Sequence, residues 1–184
     1  MDTTSPPVRD WIDIATVIAN AAGPIVAAVF GYWILRVTKR LEHAQWRNQK
    51  LVEKRIEVWE NLGPVVNDIY CYCLRVGSWK ELKPPDAIAK KRVADKIMHL
   101  NRPYFSSSFF TAYQLFANTS FETFQGHGEN ARIRSMAWEH KNVHSCWDES
   151  WDRCFLDVPL DDEELKRVYE KLVSQVSREL SPDR

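Results

Sequence analysis

Between Ile14 and Leu35 the chain carries no charge, and its only clearly polar side chains are Thr16 and Asn20. That absence excludes the surface helix of a globular core, which shows charges on its wet face at helical spacing. Positive charge is also scarce ahead of this stretch: the first 13 residues hold Arg9 against Asp2, Asp10 and Asp13. A cleaved signal peptide starts basic and has a shorter apolar core, so a secretion signal fits poorly despite the cleavage-like "ANAA" at 19–22. Glycine is scarce, at six residues, while aromatics make up 12% of the chain, a composition unlike that of a disordered tail. No stretch alternates apolar and polar residues as a half-buried strand would, and there is no internal repeat. The chain also lacks G-x-S-x-G, a P-loop, H-E-x-x-H and the dinucleotide fingerprint, so no standard enzyme signature is present.

What is there begins with length. The 22 residues from Ile14 to Leu35 reach roughly 33 Å as a helix, enough to cross a hydrocarbon core of about 30 Å. Trp11 at one end, and Tyr32 and Trp33 at the other, suit the two interfacial aromatic belts. Arg36, Lys39, Arg40, Arg47, Lys50, Lys54 and Arg55 follow the span. The positive-inside bias therefore predicts an external N-terminus (1–13), a transmembrane helix (14–35), a juxtamembrane helix (36–62) and a cytoplasmic helical domain (63–184). In that reducing compartment Cys71, Cys73, Cys146 and Cys154 would not form a disulfide framework. Along the span, Ala15, Ala19, Gly23, Ala27 and Gly31 recur every four residues, with Asn20 beside them. Such small-xxx-small faces let helices approach closely in lipid, so a homo-oligomer is expected. Pro24 removes a backbone donor there and predicts a kink.

The cytoplasmic part reads as all-α. "GP" at 63–64 predicts the end of the juxtamembrane helix, and residues 65–76 predict another helix that stops at Gly77. Asp86 would cap a basic helix to about Leu100. Ser106–Ser108 open an aromatic helix with Phe109, Tyr113, Phe116, Phe121 and Phe124 directed inward. Residues 134–151 read as helical. Asp161 with Glu164 reads as a capping box, followed by an apolar stripe of Leu165, Val168, Tyr169, Leu172, Val173, Val176 and Leu180.

Charge is uneven. Residues 36–102 hold 15 Lys and Arg against 8 Asp and Glu, and residues 103–184 hold 9 against 14. A basic region beside a span is expected from attraction to anionic lipid, so it gives no ground for direct duplex DNA binding.

Three constellations carry possible chemistry. "FQGHGENARIRS" (124–135) puts His127 between glycines and adds Arg132 and Arg134, whose guanidinium forks suit phosphate. The alternative is a helix terminator followed by arginines that bridge acidic neighbours. "GSWKELKPPDAIAKKR" (77–92) places Lys80, Lys83 and Arg92 near Trp79, read as exposed. With the first loop it could line a basic pocket for an anionic, nucleotide-like ligand; contact with the membrane surface is the alternative. His140 and His144, four apart, could share a metal with Cys146 and Cys154. The cysteine spacing matches no standard zinc module, and plain packing is the stronger reading, so no cofactor is expected.

The segments "VWENLGPVVNDIYCYCLRVGSWKELKP", "KKRVADK", "YFSSSFFTAYQLF" and "FQGHGENARIR", in this order after one membrane helix, resemble a group of bacterial proteins with a single N-terminal span and a helical cytoplasmic domain. Similar small membrane proteins occur in phage-defence systems, as effectors or partners. The resemblance covers about residues 10–135 and carries over no catalytic residue. The resemblance does not itself give the function. Taken with the span and its small-residue ridge, the chain is expected to be a self-associating sensor or effector at the bacterial inner membrane, more a binding protein than an enzyme, with a cytoplasmic protein partner or an anionic, nucleotide-like ligand. A membrane-tethered hydrolase or metal enzyme, and a passive membrane scaffold, are the competing classes.

Overall fold

The computed structural model describes residues 8–123, 130–144 and 146–181. The expectations at Phe124, at His127 and at the two glycines flanking it lie outside the described residues, as do the side chains of Trp11 and Ala19. The fold is all-α: α1 (Val8–Leu74), α2 (Pro84–Asn101), α3 (Ser107–Ser120), α4 (Ala137–Lys141) and α5 (Asp162–Leu180). Its strands are β1 (Phe121–Glu122) and β2 (Arg132–Ile133), an antiparallel pair that matches Phe121 with Ile133. The chain divides into two compact units, Met1–Gln49 and Lys50–Arg184.

The described residues of the first unit form the N-terminal part of α1. Every described side chain in it except that of Ala44 is exposed. The helix contains an 18-residue window of mean hydropathy 1.8, none of it buried, which is long and apolar enough to cross a membrane.

In the second unit α1 supplies one wall of the core. Leu62, Val66, Ile69, Tyr72 and Cys73 follow helical spacing and are each at most 2% exposed. This packing explains a departure from the sequence reading: α1 does not break at Gly63–Pro64 but runs through to Leu74. An interior proline costs about 3 kcal/mol. Each fully buried large apolar side chain returns about 1.5–3 kcal/mol, so Leu62, Val66 and Ile69 alone outweigh it. Gly63 takes part in the packing, because a Cβ there would lie 3.2 Å from the Trp59 ring.

The end of α1 is also displaced from its expected place. Arg75, at φ 59°, takes the left-handed position two residues before Gly77. Val76 N–H donates to Cys71 O (3.0 Å) and Arg75 N–H to Tyr72 O (3.3 Å), the two bonds of a Schellman motif. A non-glycine residue pays roughly 1–2 kcal/mol for that conformation, and the guanidinium contacts described below offset it.

The other caps follow local chemistry. Lys83, not Asp86, is the cap residue of α2; Asp86 sits within the first turn and accepts from Lys83 N–H at 3.3 Å. Ser106 caps α3 by accepting from Phe109 N–H (3.2 Å). Phe109, Tyr113 and Phe116 of α3 are buried, whereas Phe121 reaches the core from β1. Asp161 caps α5 through Glu163 N–H (3.0 Å) and Glu164 N–H (3.1 Å), while the Glu164 carboxylate turns to Arg167 (3.6 Å) instead of back to the cap. The α5 stripe is buried at Leu165, Val168, Leu172 and Val176, and Val173 is exposed. Asp161→Ala should cost about 1 kcal/mol, lowering Tm by about 3–5 °C, with Asp161→Asn nearly neutral. Equal loss in both variants, by thermal melting, would show that the cap contributes through its charge alone.

The span 134–151 is mostly not helical, contrary to expectation. Among its described residues only Ala137–Lys141 is α-helix, and a 3-10 segment occupies Glu149–Cys154. Residues 132–133 are held in the strand pair, Leu156 N–H donates to Ile133 O (2.9 Å), and Asp148 accepts from Ser150 N–H (2.8 Å). These bonds use the backbone in ways a continuous helix cannot.

Candidate functional site

The arginines of the basic loop are held by the strand pair. Arg132 on β2 stands opposite Glu122 on β1, its Nη2 3.2 Å from the carboxylate. Arg134 Nε donates to Asn118 O at 3.0 Å. Arg92 of α2 donates from Nη2 to the Asn130 side-chain carbonyl, which joins the second basic constellation to the first across 38 residues. Lys80 stands apart, its ammonium 6.0 Å from the centre of the Trp79 ring, and Lys83 sits at the start of α2. The neighbouring cations Lys90 and Lys91 pair with Asp68 and Asp95, each at 2.7 Å.

Trp79, read from sequence as exposed, is 6% exposed. It packs edge-on against His140 at 5.4 Å between ring centres, so it belongs to the core and not to a ligand-facing lip. The contacts of Arg132 and Arg134 make a paired measurement informative. If the loop binds an anion, each arginine contributes about 1.5–3 kcal/mol of charge-assisted bonding. Arg132→Ala should then lose 10- to 150-fold in affinity while melting close to wild type. Variants that melt normally and keep full activity would reject anion binding by this loop.

The histidine–cysteine constellation resolves differently. His140 is fully buried on α4, and its Nε2 shares a hydrogen bond of 3.1 Å with Ser135 Oγ. Its ring stacks on Tyr72 (4.7 Å) and lies 5.0 Å from Phe155. His144 packs with Trp147 and Trp151. Among the described residues no group of three or more His, Cys, Asp or Glu side chains is placed to hold a metal, so His140, His144, Cys146 and Cys154 do not form a ligand set there. Burial, then Arg75 and then His144 lower the His140 pKa to about 4. The imidazole is therefore neutral at physiological pH. Burial likewise pushes the Cys73 thiol up to about 12 and the Tyr72 hydroxyl above its ordinary value.

Arg75 organises the surroundings of this histidine, and sequence reasoning missed it. From its left-handed position Nη1 reaches Glu139 at 2.5 Å and Nη2 reaches Asp162 at 3.2 Å. Ser135 Oγ also bonds Glu139 (3.3 Å), which continues the chain of contacts to His140. One guanidinium thus ties the C-terminus of α1 to α4 and to the first turn of α5. A lone arginine just before Gly77 gave the only signal, and nothing local distinguishes it from a solvated side chain.

The Ser135–His140 pair resembles a nucleophile and its base, but its geometry argues against that role. Both residues are fully buried, and Glu139 bonds the serine instead of orienting the histidine through Nδ1. A working triad needs an accessible hydroxyl and a base held by its far nitrogen. Comparison with protein families, with characterised proteins and with solved structures finds no match to this chain.

Proposed function

We propose that the chain is a membrane-anchored, self-associating helical protein whose second unit is a cytoplasmic sensor or partner-binding domain acting through the membrane. The observation that carries this reading is the apolar window of α1, mean hydropathy 1.8 and wholly unburied, in an otherwise well-packed chain. Left in water, that surface would drive aggregation; in a bilayer it is the expected solvent exposure. The basic residues from Arg36 to Arg55 support an external N-terminus and a second unit in the cytoplasm.

Self-association rests on the small-residue ridge. Gly23 and Gly31 have nothing within 4 Å of where a Cβ would stand, so that face is open to a second helix. A role as an antiviral defence effector follows the family resemblance: partner or ligand binding in the second unit would rearrange its helices, and the span with Asn20 and Pro24 would perturb the bilayer. Arg75, which holds α1, α4 and α5 together, is the point where such a rearrangement would enter α1. The sealed Ser135–His140 pair speaks against an enzyme at that position.

Topology is the decisive test. Cys146 is the exposed thiol of the second unit. In intact cells it should resist a membrane-impermeant maleimide and react only after permeabilisation. Labelling from outside would overturn the orientation, and recovery of the chain in the soluble fraction would overturn the anchor.

A further inference from the structure

The part of α1 that follows the apolar window presents a second feature that the small-residue ridge does not explain. Beyond Leu35 the helix continues through Gln49 with every side chain but Ala44 exposed, so nothing within the first unit packs against it. A helix in water draws most of its stability from packing an apolar face, and an unpacked one is marginal. Yet this segment has such a face. Ile34, Val37, Leu41 and Ala44 fall at alternating spacings of three and four, then Asn48 and Leu51 continue the same series. Ile34 is 57% exposed and Leu41 59%. In heptad terms Ile34, Leu41 and Asn48 take the a positions, and Val37, Ala44 and Leu51 the d positions. Traced backwards, the register places Asn20 and Ala27 at a, and Gly23 and Phe30 at d. One seven-residue period therefore runs from the apolar stretch into the polar one, and the two asparagines stand in the same column four heptads apart. A sustained heptad imposes a left-handed supercoil on a partner with the same repeat.

We infer that the occupant of this face is a second copy of the chain, in a parallel coiled coil that extends from the span along residues 34–51, with Asn48 meeting Asn48 of the second copy. The inference rests on the membrane-anchored, self-associating reading, since copies inserted with one topology are necessarily parallel and level with each other. Charge selects the same arrangement. The g positions are Arg40, Arg47 and Lys54, and the e positions Thr38, Gln45 and Val52. In a parallel pair g faces the next e, so Arg40 meets Gln45 and Arg47 meets Val52 without like-charge opposition. An antiparallel pair would set the three cations against one another. A buried asparagine at a single a position fixes register and favours a defined stoichiometry, at a cost in stability. In this chain it would prevent the otherwise short, alanine-containing seam from slipping.

The test is a cysteine scan of the full chain in its own membranes. Single cysteines are placed at Val37, Leu41, Ala44 and Asn48, and at Lys39, His43 and Trp46 on other faces, in a Cys146→Ser background. Mild oxidation should give covalent dimers several-fold more at the first set than at the second. Equal cross-linking at all positions, or a maximum at Lys39, His43 and Trp46, overturns the seam. Gly23→Cys and Ala27→Cys in the same membranes separate the two levels of the argument. Dimers there without dimers along the stalk reject the coiled coil and keep self-association; dimers at neither site reject both. With no cysteine added, Asn48→Leu should broaden the oligomers seen by light scattering of the detergent-solubilised chain from dimers to higher species. An unchanged dimer pattern in that variant places Asn48 outside the interface and overturns the register.

Discussion

Replacing Arg55 by alanine is expected to be among the most destabilising single changes in the second unit. Arg55 leaves α1 to bond three separate groups: Nε to Tyr104 O at 2.6 Å, Nη1 to Glu179 O at 2.9 Å, and Nη2 to the Glu179 carboxylate at 3.0 Å. The Glu179 side chain is only 7% exposed, and its other oxygen accepts from Ser106 N–H at 3.0 Å. α1, the segment before α3 and the end of α5 are thereby fastened at one point. Removing the cation leaves a buried carboxylate without its counter-charge, which costs about 3–5 kcal/mol. In a unit of this size that is a fall in Tm of roughly 10–20 °C. Arg55→Lys should recover only part, because an ammonium cannot reach three acceptors in the geometry of the fork. Arg55→Leu combined with Glu179→Leu should be markedly less damaging than Arg55→Leu alone, since the stranded charge is then gone. Thermal melting of the four variants decides the matter: if Arg55→Ala melts within a degree or two of wild type, the network is incidental.

The second large effect is a loss of stability in mild acid, centred on His140. Its pKa in the folded chain is about 4, against 6.5 when unperturbed. Above about pH 6.5 the imidazole is neutral whether the chain is folded or not, and its contribution is complete. Between 6.5 and 4 only the unfolded chain takes up the proton, so stability declines as pH falls, and below about 4 the decline from this group levels off. At 1.36 kcal/mol per unit the difference amounts to roughly 3 kcal/mol. The groups facing the ring give it no relief: Arg75 repels the added proton, His144 does the same when charged, Tyr72 stays neutral, and Glu139 reaches the ring only through Ser135. His140→Phe keeps the stacking on Tyr72 and removes the titration. It should be somewhat less stable at pH 7.5 and lose much less than wild type between pH 6.5 and 4.5. Parallel loss in the two proteins would assign the acid sensitivity to carboxylates elsewhere.

The contrast between legible and illegible elements follows the range of the forces involved. α5 was readable because its apolar stripe and its Asp161 cap are both local, and the cap of α3 at Ser106 was readable for the same reason. Gly63–Pro64 misled because two helix-breaking residues act within a turn, whereas the core face that overrides them is assembled from α3 and α5 far along the chain. Arg75 could not be recognised as the end of α1, since only Glu139 and Asp162, 64 and 87 residues away, make a left-handed arginine tolerable there. Trp79 looked exposed among lysines, and its burial depends on His140. In the basic loop the residue types were visible but their partners were not: Glu122 for Arg132, and Asn130 for Arg92.

The pairing of α1 with α5 bears on how the chain is made. Tyr70 of α1 stacks on Tyr169 of α5 at 3.9 Å, and Arg55 waits for Glu179. Roughly a hundred residues separate these partners, which at 5–20 residues per second is about 5–20 s of synthesis. Throughout that interval the core face of α1 emerges from the ribosome with its last covering helix still untranslated. An apolar helical face close to an apolar N-terminal stretch is a natural client for chaperones and for the insertion machinery. A stalled or truncated product lacking α5 would carry the whole apolar N-terminal stretch and no closed core, the species that quality-control proteases remove first.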